Sequence, residues 1–140
     1  CFLQEMDQKK KILENLIKSL RLTENIKMLG YVTNLQEYQK IADVSVSCSK
    51  REGLPLNIVE AMLSGTPVVA SVNRGHRELI QNGKNGFLID VNDCERIADK
   101  VLKILTDKQL YGEIQKNANT YAQAYTFRNS KKRTYESVWF

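Results

Sequence analysis

Apolar residues follow two patterns that alternate along this chain: a helical spacing of three and four residues, and short unbroken runs. Steps of three and four residues place Leu13, Leu16 and Leu20 on one face of a predicted helix over residues 4–20. The unbroken apolar run 67–71 is typical of a strand buried on both faces of a parallel sheet. By the same criteria further strands are predicted at 25–30, 44–48 and 87–89, and further helices at 34–41, 58–64, 77–80, 94–105, 108–125 and 129–139.

Strands separated by helices predict βαβ units and therefore an α/β fold. We expect a Rossmann-like parallel sheet of about four strands, flanked by helices. Gly65 suits the left-handed position after a helix, and Asp93 suits the cap before one. Cys48 is expected to pack under the loop that follows its strand, as a small apolar residue.

Length and composition narrow the function classes. The 140 residues fit one domain, and a net charge of +5 without a stripe of cations and aromatics argues against nucleic-acid binding. No apolar run approaches the roughly 20 residues that span a bilayer. Three scattered cysteines and a lone His76 predict reduced thiols in the cytoplasm and no metal site. Because the chain begins with Cys1 and not Met, we expect it to continue upstream.

Ligands of open α/β sheets bind beyond the carboxyl ends of the strands, and the loop after 44–48 carries the most suitable residues. Gly53 allows backbone to approach a ligand, and Pro55 fixes φ at the start of a helix. Free N–H groups at 56–58, together with the helix dipole, favour a diphosphate. Glu60 is placed to accept hydrogen bonds from a ribose diol, and Glu52 from a sugar hydroxyl.

The two glutamates alone are weak signals. Two glutamates eight residues apart are common by chance, and a solvated helical glutamate explains such a pair equally well. His76 has the same ambiguity: contact with a ligand is one interpretation, and a capping or surface role is the favoured one. Arg74 and Arg77 are weaker candidates for phosphate contacts.

The residues around the glutamates decide between these interpretations. The run EGLPLNIVEAMLSGTPVVAS at 52–71 closely resembles the signature of the group 1 (family 4-like) retaining glycosyltransferases, which have the two-domain GT-B architecture. The resemblance continues through NIKMLGYV at 25–32, GHRELI at 75–80 and NGKNGFL at 82–88. It covers roughly residues 10–125, with the blocks in the same order.

The resemblance implies roles for individual residues. Glu52 would be the catalytic residue that contacts the donor sugar, and Glu60 would bind the ribose. The resemblance further implies that the protein binds a UDP- or GDP-sugar without a metal ion or other cofactor. The donor site that the resemblance implies consists of Tyr31, Val32, Glu52, Gly53, Leu54, Pro55, Leu56, Asn57 and Glu60.

The resemblance also implies that residues 1–140 are a partial C-terminal, nucleotide-sugar-binding domain. The first strand–helix unit of that domain, which carries the Arg and Lys that grip the diphosphate, would be missing. An absent N-terminal domain would bind a glycan or lipid-linked acceptor, braced by the helix at 129–140. The full-length protein would transfer a hexosyl group in polysaccharide biosynthesis, in the cytoplasm or peripherally on the cytoplasmic face of a membrane.

Two other functions remain open from the sequence. The chain could be a non-catalytic nucleotide-binding or interaction module, and the isolated chain is expected to be inactive. A related GT-B epimerase acting on sugar nucleotides is less favoured, because the proline-containing signature with its second glutamate is typical of transferases.

Overall fold

The computed structural model describes residues 2–30 and 32–136, with side chains described for residues 8–30 and 32–126. The chain divides into two compact units, with the boundary between Thr33 and Asn34. The first contains α1 (Phe2–Ser19), which confirms the helix predicted at 4–20. It ends where Arg21 adopts a left-handed φ of 57° and the Leu22 N–H donates to Ile17 O at 3.0 Å. This closing pattern usually uses glycine, so Arg21 here carries a small conformational cost.

The strand predicted at 25–30 is wrong. Ile26 donates its N–H to Leu22 O in a turn, and no strand is assigned to this segment. Strands exist only as partners in a hydrogen-bonded ladder, and within the described residues no neighbour pairs with this one. Its apolar side chains, which include Met28 and Leu29, are exposed.

The second unit alternates helices and strands, which confirms the α/β prediction. Its sheet is parallel and has three strands in the order β1-β2-β3 instead of the expected four. Val69 of the central strand pairs with Val46 on one side and Phe87 on the other. The elements in chain order are α2 (Leu35–Ile41), β1 (Ser45–Ser47), α3 (Leu56–Leu63), β2 (Val68–Ser71), α4 (Arg74–Leu79), β3 (Phe87–Ile89), α5 (Cys94–Thr106) and α6 (Lys108–Glu136).

The central strand β2 is buried along its whole length. Its side chains alternate between two apolar clusters, as the two-residue period of a strand requires. Val68 and Ala70 belong to the cluster that contains residues of α3 and α4, whereas Val69 belongs to the cluster that contains Ile104 of α5. Helix α6 contributes Ala118 and Ala122 to the first cluster and Ile114 to the second. Both faces of β2 are therefore covered by helices.

The first strand is less buried than predicted. In β1, Ser47 is buried, but Val46 is 48% exposed because β1 is an edge strand of this sheet. The prediction that Cys48 is packed in the interior is also wrong, because Cys48 is exposed at the end of this edge strand. Small residues in an apolar run do not distinguish an edge strand from a central one.

Helix boundaries differ most from the prediction at α4 and α6. Helix α4 begins at Arg74, three residues before the predicted 77. The two helices predicted at 108–125 and 129–139 are one continuous helix, α6, as far as Glu136; residues 137–140 lie outside the described part. At the predicted break the Thr126 hydroxyl donates to Ala122 O at 3.0 Å, which keeps this β-branched residue compatible with a helix.

Gly65 and Gly112 provide a matched test of this backbone. Gly65 has a φ of +78°, and a Cβ there would lie 3.3 Å from Gln115 Nε2, whereas a Cβ on helical Gly112 would meet nothing within 4 Å. We expect Gly65→Ala to destabilise the fold by about 1–2 kcal/mol and Gly112→Ala to stabilise it by about 1 kcal/mol. Urea unfolding followed by circular dichroism measures both, and equal effects of the two substitutions would contradict the assigned backbone.

Candidate donor-binding cleft

An open cleft of about 430 Å³ lies where β1 and β2 end. Parallel strands bring their carboxyl ends to one edge, so the loops that follow β1 and β2 meet there. The cleft contains three cations and one carboxylate, which gives it a net positive charge. Its lining residues are Lys50, Arg51, Glu52, Gly53, Asn73 and Arg74.

The two signature glutamates occupy different positions. Glu52 is half-buried in the wall of the cleft, and its Oε1 accepts a hydrogen bond of 2.8 Å from the Ser49 hydroxyl. Glu60 is half-buried in α3 and is not among the residues that line the cleft. Within the described residues, no hydrogen bond or ion pair involves the Glu60 carboxylate, which is therefore free to accept from a ligand.

The amino end of α3 presents different amides from those expected. Leu56 and Ile58 donate their N–H groups to Leu54 O at 2.9 Å and Pro55 O at 3.1 Å, so the expectation that both are free is wrong. The bends that Pro55 imposes, with φ −79° and ψ 80°, bring these carbonyls within reach. In the part of the chain that the structure describes, the N–H groups of Gly53, Leu54 and Asn57 have no acceptor.

The leucine side chains beside these amides are exposed. Leu54 is 52% exposed and Leu56 is 58% exposed, whereas Pro55 between them is buried. Asn57 O accepts a hydrogen bond of 2.9 Å from Gln39 of α2, which holds the first turn of α3 in place. The end of the loop is thus anchored to α2 through Asn57, while Leu54 and Leu56 are exposed to solvent.

Gly75 sets how closely α4 approaches the loop. A Cβ on this residue would lie 2.7 Å from Glu52 O and 2.9 Å from Gly53 O, both of which are backbone atoms that cannot rotate away. Only a residue without a side chain permits this contact. The approach places the start of α4 directly against the loop that carries Glu52.

His76 was assigned a capping or surface role, and this is wrong. Its side chain is fully buried, and its Nδ1 lies 2.6 Å from Ser71 O, to which it donates. Asn73 is the residue that caps α4, since its Oδ1 accepts from the His76 N–H at 2.9 Å. An Asn three residues before His76 is a helix-cap signal, but the helix was predicted to begin too late for that signal to be used.

The remaining predicted positions lie elsewhere. Tyr31 is outside the described residues, and Val32 is half-buried in the first unit. Arg74 is in the cleft wall, where its exposed side chain pairs with Glu78 at 3.5 Å. Arg77 lines the neighbouring depression beside Val72.

Among the residues that the structure describes, no group of three or more His, Cys, Asp or Glu side chains could hold a metal ion. No helix there combines the length and the apolarity needed to cross a membrane.

Comparison with known proteins identifies the family. A sequence profile described as "Glycosyl transferases group 1" matches residues 7–121. The chain belongs to the group 1 glycosyl transferases. The resemblance noted in the sequence is thereby confirmed.

Individual relatives agree with this membership. The chain is 34% identical over 104 residues to the poly(ribitol-phosphate) alpha-N-acetylglucosaminyltransferase of Staphylococcus aureus, covering 74% of this chain and 21% of that protein. The structure of Anabaena HepE in complex with UDP and glucose superposes with a TM-score of 0.83 at 30% identity, covering 96% of this chain and 38% of that one.

A third similarity concerns the position of the domain. The C-terminal domain of a group 1 glycosyl transferase from Francisella tularensis superposes with a TM-score of 0.76 at 27% identity, covering 86% of this chain and 63% of that one. The fold is thus that of the C-terminal half of a GT-B glycosyl transferase. The chain spans a third or less of the length of the curated relatives it matches.

For this group 1 glycosyl transferase chain, Gly75→Ala tests the close approach of α4. We expect the added methyl group to displace the loop, with a loss of about 1–3 kcal/mol in unfolding free energy and shifted amide NMR signals at Glu52 and Gly53. Gly112→Ala, in α6, is the control, because its Cβ would meet nothing within 4 Å and the substitution leaves the loop residues unchanged. Unchanged loop signals in Gly75→Ala would contradict the contact.

Proposed function

We propose that this chain is the donor-binding domain of a retaining hexosyltransferase that uses a nucleotide diphosphate sugar. The observation that carries the proposal is that the N–H groups of Gly53, Leu54 and Asn57, which follow the half-buried Glu52, have no acceptor among the described residues. Backbone amides at the start of a helix bind phosphate oxygens, and a carboxylate accepts from sugar hydroxyls. A nucleotide sugar presents both kinds of group.

The charge of the cleft supports the same ligand. Lys50, Arg51 and Arg74 surround one carboxylate in the cleft wall, so the local field favours an anion. We propose that these cations and the dipole of α3 stabilise the leaving diphosphate without a metal ion. HepE, which shares the fold, has been crystallised with UDP and glucose.

The carboxylates divide the donor between them in this proposal. Glu60 accepts hydrogen bonds from the ribose, and Glu52 contacts the transferred sugar as the catalytic residue. Pro55 and Leu56 shape the loop between them, and the contacts of Tyr31 and Val32 with the base stay a prediction. The acceptor is a glycan or a lipid-linked sugar, in keeping with a 33% identical relative from Escherichia coli, a galactosyltransferase whose name gives GlcNAc-diphosphoundecaprenol as the acceptor. The cytoplasmic location stays a prediction.

Calorimetric titration with UDP and a UDP-sugar tests the division of roles. Glu60→Ala should weaken UDP and the UDP-sugar alike by about tenfold or more, since a hydrogen bond to a charged group contributes about 1.5–3 kcal/mol. Glu52→Ala should weaken only the UDP-sugar. Glu95→Ala, which removes an exposed carboxylate from α5, is the matched control.

Two outcomes of this titration would oppose the proposal. If neither UDP nor GDP produces heat at millimolar concentration while circular dichroism shows an intact fold, the donor-site assignment fails. If both glutamate variants weaken plain UDP equally, the division of roles fails and only nucleotide binding remains.

Turnover provides an independent test. Retaining transfer requires the acceptor to be held on the same face as the leaving diphosphate, and this chain spans a third or less of its curated relatives. We expect the 140-residue chain alone to bind nucleotide without transferring or hydrolysing the sugar. Release of sugar from UDP-glucose above the rate of the Glu52→Ala variant would contradict this expectation.

A further inference from the structure

We propose that Ser49 is a positioning residue that orients the Glu52 carboxylate toward the donor sugar, and that Ser71 and Asn73 hold Ser49 in place. The proposal rests on the proposed function, because it concerns how Glu52 is prepared for a sugar. It gives a supporting role to three residues that lie outside the loop that carries Glu52 or at its edge.

The contact with Glu52 uses only one carboxylate oxygen. The Ser49 hydroxyl donates to Glu52 Oε1 at 2.8 Å, and among the described residues nothing else bonds to this carboxylate. Glu52 Oε2 is therefore left to accept from a ligand. A glutamate side chain that is already held loses less conformational entropy when a ligand binds, so the bond favours binding of the sugar.

The other end of Ser49 is fixed to β2 and α4. Its carbonyl accepts from the Ser71 hydroxyl at 2.5 Å and from Asn73 Nδ2 at 2.9 Å. Both donors are buried, Ser71 completely and Asn73 to more than nine-tenths. Two buried donors on one carbonyl determine the orientation of the Ser49 peptide, and with it the direction of the Ser49 side chain.

One of these donors, the Asn73 amide, is itself oriented by His76. Asn73 Oδ1 accepts from the His76 N–H at 2.9 Å, so its Nδ2 must face Ser49 O. The imidazole Nδ1 donates to Ser71 O at 2.6 Å. Hydrogen bonds thus run from His76 through Asn73 to Ser49, and from the Ser49 hydroxyl to the carboxylate of Glu52.

Asn73→Asp separates the capping role of Asn73 from this positioning role. An aspartate keeps an acceptor for the His76 N–H and so preserves the cap of α4. It replaces the amide donor with an oxygen that faces the Ser49 carbonyl oxygen. Because both oxygens are hydrogen-bond acceptors, they repel each other and must move apart. Ser49→Ala removes the contact with Glu52 directly, and Ser49→Thr restores a hydroxyl.

The first measurement needs no ligand. The side-chain ¹³Cδ signal of Glu52, assigned by its loss in Glu52→Gln, is recorded in the full 140-residue chain. We expect the signal to move in Ser49→Ala and in Asn73→Asp and to return in Ser49→Thr, with unchanged far-ultraviolet circular dichroism. An unmoved signal in both Ser49→Ala and Asn73→Asp would overturn the proposed positioning.

The second measurement is a double-mutant cycle with UDP and UDP-glucose as probes. The dissociation constant of UDP divided by that of UDP-glucose isolates the contribution of the sugar. If Ser49 acts through Glu52, Ser49→Ala lowers this ratio by about three- to tenfold, Ser49→Thr restores it, and Ser49→Ala has no further effect in a Glu52→Ala background. Additive losses would overturn the proposal.

Failure of the two proposals can be told apart. Loss of UDP binding in the wild-type chain refutes the proposed function, whatever the ¹³Cδ signal shows. If UDP binds and the signal moves but Ser49→Ala leaves the sugar ratio unchanged, Glu52 is positioned without benefit to the sugar, and the functional half of this proposal is refuted.

Discussion

The candidate site depends on one carbonyl group, Ser49 O, and on the two buried donors that hold it. Ser71 ends the central strand β2, and Asn73 caps α4, so their contacts tie the loop after β1 to the next strand and to the helix that follows it. The burial of β2 on both faces gives these donors fixed positions. If the strand moved, the wall of the cleft that carries Glu52 would move with it.

The cleft combines rigid support with unsatisfied polar groups. Gly75 allows the start of α4 to press against Glu52 O, and Gln39 anchors the first turn of α3 through Asn57 O. The amides of Gly53, Leu54 and Asn57 have no acceptor among the described residues. Polar groups that are held rigidly and left without partners are suited to a ligand, because the cost of ordering them has been met in folding.

Much of the architecture follows from local sequence patterns. The apolar run at 67–71 predicts the buried strand β2, and Gly65 and Asp93 predict helix ends that the structure confirms at a φ of +78° and in an Asp93 bond to the Arg96 N–H at 3.0 Å. The segment 25–30 has a strand-like composition. A strand also needs a neighbouring strand to pair with, and the sequence of the segment does not show whether there is such a neighbour. Edge and central strands were likewise indistinguishable, as Val46 and Cys48 show.

The site was only partly predictable for a similar reason. Local composition placed Glu52, Gly53 and Pro55 in a loop before a helix, which was sufficient to locate the cleft. The burial of His76, the role of Ser49 and the loss of free N–H groups at Leu56 and Ile58 depend on hydrogen bonds made when β1, β2 and α4 meet. Contacts between Ser49 and residues more than twenty positions away cannot be inferred from the loop alone.

The central claim is that a nucleotide diphosphate binds at the free amides beside Glu52. Its most direct test is a titration of the ¹⁵N-labelled 140-residue chain with UDP, followed by amide NMR shifts. The account predicts that Gly53, Leu54 and Asn57 show the largest saturable shifts. Shifts confined to a remote surface, such as the depression lined by Lys84, Lys116 and Asn117, with the three loop amides unmoved, would contradict it.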